Sequence, residues 1–204
     1  EINLKSVGIP YAREVFIVSD DSIEAIIITE KVRKMNKKCT IYVRVYEEKY
    51  FHYLSQPPLN AFPFSTSKWA LLSIEKWAQE KSGPMLVIGQ DHLTSRVIDQ
   101  CSKNRIIYAL TPKSGESLKH EPSSQVKVFS LESFTMEEIQ LVVNLKEITQ
   151  VFICWKEIER IGDSVYLASE LHEHFSEIQC YVRIFDEEVG NILKRYNTTP
   201  FSTS

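Results

Sequence analysis

Glycine is scarce in this chain, which carries 6 in 204 residues, under half of the roughly 7% found in average proteins. The shortage weighs against a glycine-rich phosphate loop, which needs several glycines close together so that backbone N–H groups can approach an anion. A surplus of positive charge is also missing. Lys and Arg total 24 against 27 Asp and Glu, giving a net charge of -3 and a pI near 6.0. The electrostatic footprint that grips a phosphodiester backbone is therefore absent, and nucleic acid is not an expected partner. Long apolar runs are lacking as well. The most apolar stretch, around Ile26, Ile27 and Ile28, is flanked by charges within a few residues, far short of the ~20 residues of a membrane span. No direct membrane insertion by this chain is expected. Cys39, Cys101, Cys154 and Cys180 form no C-x-x-C pair and several lie in apolar runs, so they read as reduced core thiols of a cytosolic protein. The sequence opens without Met and without a basic-then-apolar signal, and reads as an internal piece of something longer.

Hydrophobic residues at 43% and charged residues at 25% are those of a globular chain, and the length predicts between one and two domains. Segments of continuous hydrophobicity alternate with segments of helical period, the pattern of a parallel sheet with crossover helices. Strands are expected over 14–18, 40–45, 61–64, 85–88, 105–110, 126–129, 150–154 and 179–185. Helices are expected over 21–36, 47–54, 94–102, 136–143 and 162–175, with another capped by Ser65, Thr66 or Ser67 and running to about Lys81. Ser82, Gly83 and Pro84 stop that helix. Residues 112–125, rich in Pro, Ser, Gly and charge, read as a mobile surface loop.

The segment 41–48 (Ile-Tyr-Val-Arg-Val-Tyr-Glu-Glu) reappears as 180–187 (Cys-Tyr-Val-Arg-Ile-Phe-Asp-Glu). The register persists on both sides. Leu54 matches Leu193, Pro63-Phe-Ser-Thr-Ser67 matches Pro200-Phe-Ser-Thr-Ser204, and Val15-Phe-Ile17 matches Val151-Phe-Ile153. Two copies of one α/β unit are thus expected. The second copy, 83–204, is complete, and 1–82 holds the carboxyl half of a first copy plus a crossover helix.

Residues 12–21 (Ala-Arg-Glu-Val-Phe-Ile-Val-Ser-Asp-Asp), the strand 41–45 and the segment 62–67 leading into Trp69-Ala-Leu-Leu72 resemble the second half of TrkA-N domains. These are the regulator-of-potassium-conductance (RCK) domains found on the cytosolic face of potassium channels and transporters. The resemblance spans nearly the whole chain and implies an α/β, Rossmann-like, doubly wound and mostly parallel sheet. It also implies a cytoplasmic gating module without catalysis, a membrane channel or transporter subunit as partner, and a homo-oligomer.

Such sheets place a ligand at the carboxyl ends of the strands, its pyrophosphate on the amino end of the first helix. In the second copy that turn reads Gly89-Gln-Asp-His-Leu-Thr94, where the dinucleotide fingerprint has glycine at the first, third and sixth places. Gly89 alone fits. Asp91 adds bulk and negative charge where a phosphate would come, and Leu110-Thr-Pro-Lys113 lacks the acid that would hold a ribose. Dinucleotide binding therefore reads as lost in this copy, although an unusual nucleotide or another small ligand could use the same crevice. In the first copy Ser19, Asp20 and Asp21 end a strand, where the family places crevice-lining residues. NAD or another adenine nucleotide is the cofactor implied there when that domain is complete, with Arg44 on the next strand as a further candidate contact. Helix capping alone would equally account for the three.

Arg44, which recurs as Arg183, is either held in an ion pair or contacts another domain. Arg44 and Tyr46 stand where some relatives carry calcium-binding acids, so that site is not implied. Trp69 and Trp77 either dock on another subunit or fill the core. His172 and His174 point to different helix faces, a poor arrangement for zinc. The alternatives to a gating module are a stand-alone nucleotide-binding or assembly protein and, less well supported, an NAD-dependent oxidoreductase fragment. The last would need the fingerprint and a positioned proton donor, and the sequence offers neither.

Overall fold

A computed structural model describes residues 4, 6–19, 21–47, 49–113, 124–155, 157 and 159–202, together with the backbone of 158. Most of the predicted loop 112–125, Asp20 and the Trp69 side chain lie outside the described residues. Contacts divide the chain into two units, Glu1–Thr66 and Ser67–Ser204.

In the first unit three parallel strands, β1 (Glu14–Ile17), β2 (Thr40–Arg44) and β3 (Phe62–Phe64), lie in the order β1-β2-β3. Two helices, α1 (Ser22–Met35) and α2 (Lys49–Ser55), supply the crossovers. Alternation along the strands sends Ile17, Ile41 and Val43 into a core shared with Ala25 and Val32 of α1 and Leu54 of α2. Asn36 ends α1 and ties it down. Its side-chain nitrogen donates to the carbonyls of Ile9 (2.9 Å) and Ala12 (2.8 Å), and its oxygen accepts from Cys39 N (3.0 Å). The opposite sheet face carries an aromatic ladder, with Phe16 stacked on Tyr42 at 4.7 Å and Tyr42 tilted against Phe62 at 5.7 Å. Phe16 and Phe62 are exposed.

The second unit is a six-stranded, wholly parallel sheet ordered β6-β5-β4-β7-β8-β9. Its strands are β4 (Met85–Ile88), β5 (Ile107–Pro112), β6 (Val126–Leu131), β7 (Gln150–Ile153), β8 (Gln179–Arg183) and β9 (Thr198–Phe201). The order reverses between β4 and β7, which is the arrangement of a dinucleotide-binding fold. Both faces are covered at the centre, so β4 and β7 are buried along their whole length and read as apolar runs, whereas the edge strand β6 is exposed over its middle. Leu86, Ile88, Val151 and Ile153 pack beneath α5 (Met136–Val142), α6 (Ile161–His174) and α7 (Glu187–Lys194). Met85, Val87, Phe152 and Tyr181 pack on the other side with α4 (His92–Cys101) and α3 (Thr66–Gln79).

The placement of α3 departs from the sequence expectation, which grouped it with residues 1–82. Ile74 is fully buried in the second unit's core, and Trp77 stacks on Tyr181 at 5.1 Å and tilts against Phe201 at 5.7 Å. Of the two roles open to Trp77, the structure shows packing within the chain. A polar clamp holds the end of this helix. Arg105, expected to start β5, instead precedes it and donates to the carbonyls of Ala78 (2.9 Å) and Gly83 (2.6 Å), to Thr149 Oγ1 (2.8 Å) and to Gln150 Oε1. The buried Gln150 in turn donates to Trp77 O at 2.7 Å. A forked, planar cation satisfies several carbonyls at once, which a lysine does not.

The matching segments occupy matching places in their sheets. Val43 pairs with Pro63 and Arg44 with Phe64, as Val182 pairs with Pro200 and Arg183 with Phe201.

Candidate functional site

The crevice of the second unit opens where β4 and β7 part, at their carboxyl ends. Gly89 follows β4 with φ +151, a conformation that side-chain-bearing residues rarely adopt. A methyl group there would collide with Thr94 Oγ1 and press to 3.2 Å from Cys154 Cβ. Thr94 itself is fully buried, standing at the sixth fingerprint place and sealing helix against strand without a glycine.

Asp91 caps α4. One carboxylate oxygen accepts from Thr94 N (3.0 Å) and Thr94 Oγ1 (3.0 Å), and the other accepts from Arg183 Nη1. The amino end of α4, with its positive dipole, thus already holds an anion supplied by the chain. Arg183 is 7% exposed and also lies over the Phe185 ring at 5.1 Å. Of the two readings for this arginine, the geometry shows the ion pair.

Beside the pair lies a cavity of about 300 Å³ whose walls include Trp155, Glu157, Ile161, Ser164, Arg183 and Phe185. Trp155 is buried, meets Phe134 edge-on at 4.8 Å and carries Arg160 over its ring at 4.9 Å. Gln90 Nε2 donates to Glu157 at 3.4 Å. Sequence reasoning did not single out Trp155, Gln90 or Phe185 as site residues. The usable signal was position, since each stands two residues past the end of a strand of the switch region or its neighbour.

In the first unit, Asp21 caps α1, accepting from Ile23 N (2.7 Å) and Glu24 N (3.2 Å). Ser19 accepts from Asp21 N (3.1 Å) and donates to Glu24 Oε2 (2.5 Å). Asp21 therefore has the capping work that sequence offered as the alternative to crevice lining, while Ser19 braces the turn before the helix. Arg44 lies over the Tyr46 ring at 5.5 Å, the counterpart of Arg183 on Phe185.

All four thiols are buried. Burial pushes Cys101 up to about 11 and Cys180 to about 12, and raises Cys154 further, so these three are poor nucleophiles. Among the described residues one set of metal-type ligands converges, Glu170, Glu173 and His174 of α6, mostly exposed. His172 is not among them and instead approaches the Tyr196 ring at 6.3 Å. No described helix is long and apolar enough to cross a membrane.

No family model matches the chain, and no curated protein matches it. Solved structures do. The chain resembles the GsuK channel bound to ADP at 14% identity and TM-score 0.78, over 98% of this chain and 50% of that one. It resembles the GsuK channel itself at 13% and 0.77, over 97% and 51%, and the GsuK channel bound to NAD at 9% and 0.74, over 96% and 50%. The chain spans about half the length of the solved chains it matches. At these identities the likeness is one of fold: an α/β, Rossmann-like arrangement of parallel sheets.

Proposed function

We propose that this chain is a non-catalytic gating module of an ion channel, acting at the cytosolic face of a membrane as part of an oligomer. The observation that carries the reading is the match of nearly the entire chain to half of the GsuK channel. The short motifs around Ser19, Arg44 and Phe64, which resemble RCK domains, make a potassium channel or transporter the specific form. A module of this kind needs a ligand or contact that prefers one of two arrangements, and an interface that reports the preference.

In this reading the two units are copies of one domain, the first represented by its carboxyl half. Their common pairing of Val43 with Pro63 and Val182 with Pro200 supports it. The second copy no longer takes a dinucleotide, because Asp91 occupies the anion position and Arg183 is turned to Asp91. ADP and NAD, which accompany GsuK, would then act through the first copy, with Ser19, Asp20, Asp21 and Arg44 at its strand ends.

Patch-clamp recording from cells that express the native gene with and without residues 1–204 tests the proposal. Deletion should change open probability and leave unitary conductance intact. Currents that open and close identically without these residues would overturn it. For the closed site, calorimetry of the full chain with NAD should give no saturable heat that responds to substitution of Arg183. Micromolar binding abolished by Arg183→Ala would refute the closure.

A further inference from the structure

We propose that the basic groove at the carboxyl end of α1 is a contact for the headgroups of anionic lipid, holding the first unit against a membrane surface without entering it. Within positions 31–38 stand Lys31, Arg33, Lys34, Lys37 and Lys38, in a chain whose net charge is -3. Their roles separate in the structure. Arg33 builds the wall, donating from Nε to Leu59 O (2.7 Å) and from Nη1 to Cys39 O (2.8 Å), which pins the turn before β3 against the end of α1. The four lysines are exposed.

A cavity of about 510 Å³ lies beside Lys34 and Lys37, its other walls formed by Glu30, Arg33, Tyr53, Pro58 and Leu59. Its one carboxylate is already engaged. Glu30 accepts from the Tyr53 hydroxyl at 2.6 Å and pairs with Lys34 at 3.7 Å. Cations in a last helical turn offset the dipole, and that accounts for Arg33 and Lys34. It does not account for Lys37 and Lys38, which follow the helix end at Asn36, because the effect fades beyond the last turn.

A half-exposed tyrosine beside proline gives the groove an amphipathic floor of the kind that sits at a headgroup boundary. Lys31, Arg33 and Lys34 lie on α1 and Lys37 and Lys38 directly after it, a cluster of the size that attracts acidic lipid. This inference rests on the proposed function insofar as a channel module lies beside a membrane. Its assay needs no channel, so the two can fail separately.

The test is sedimentation of the full chain with vesicles of phosphatidylcholine alone or in a three-to-one mixture with phosphatidylserine. The chain should pellet with the mixed vesicles only, and salt should release it. Lys34→Glu, Lys37→Glu and Lys38→Glu together should weaken binding by roughly a hundredfold or more, from about fivefold for each lysine removed and a further loss from each carboxylate added. Lys103→Glu, Lys146→Glu and Lys194→Glu, the same change of net charge elsewhere, should bind as the parent does. Equal binding to both vesicle types, or equal loss in the two triple variants, would overturn the proposal. So would saturable binding of inorganic phosphate or an acidic peptide without any vesicle binding, since either makes the groove a site for a different partner.

Discussion

Arg183, at the end of β8, donates to the Asp91 carboxylate across the carboxyl end of the second sheet, joining residues 92 positions apart in the chain. The same carboxylate caps α4. One side chain therefore closes a helix and neutralises an arginine that is 7% exposed.

Asp91→Ala should accordingly cost about 3 kcal/mol, most of it for burying Arg183 without this acid and the rest for the lost cap. Urea unfolding of the single variants and of Asp91→Ala with Arg183→Met closes a double-mutant cycle. The double variant should lose clearly less than the two singles combined. Strict additivity would show that the pair does not act as one.

Gly89→Ala should destabilise by about 2 kcal/mol, because it places a side chain at an unfavourable φ and against Thr94. Thr94→Ala in the same chain should recover part of that loss by clearing the atom in the way. If the double variant is no better than the simple combination, the clash is not the cause.

Trp77→Ala should cost about 3 kcal/mol, the range for removing an aromatic packed on two others. Phe16→Ser, on the exposed ladder of the first unit, should stay within about 0.5 kcal/mol of the parent. Thermal melts of the two variants give the comparison directly. A larger loss at Phe16 than at Trp77 would contradict the burial described for both.

The chain should lose stability as pH rises above about 9. Burial raises Cys101 from 9.0 to about 11 and Cys180 from 9.0 to about 12, and burial followed by Glu80 raises Tyr181 from 10.0 to about 12. In each case the folded chain keeps its proton to higher pH than the unfolded chain does. The stabilisation is complete below pH 9 and is lost as pH climbs through 9 to 12. Denaturant midpoints measured across that window should fall steadily, and a flat profile would mean that these groups are not buried in solution.

How much of this was legible beforehand depended on whether the cause was local. Strands such as Met85–Ile88 and Gln150–Ile153 announce themselves because burial on both faces demands unbroken apolar residues. The caps at Asp21 and Asp91 act within three residues of themselves. The partnership of Asp91 with Arg183 is different. Sequence marked one as an obstacle to phosphate and the other as an arginine in need of a partner, yet only the order of strands brings β8 near the turn after β4. Arg105 was hidden for the same reason, since the carbonyls it holds come from α3 and the turn at Gly83. The side of the chain on which α3 would pack was equally illegible, because its apolar stripe fits any sheet.

That position of α3 governs where the polypeptide can be divided for study. A fragment begun at Gly83, the boundary that sequence favours, would strip Trp77 from Tyr181 and leave a broad aromatic surface wet, inviting aggregation. A fragment begun at Thr66 keeps its own cover.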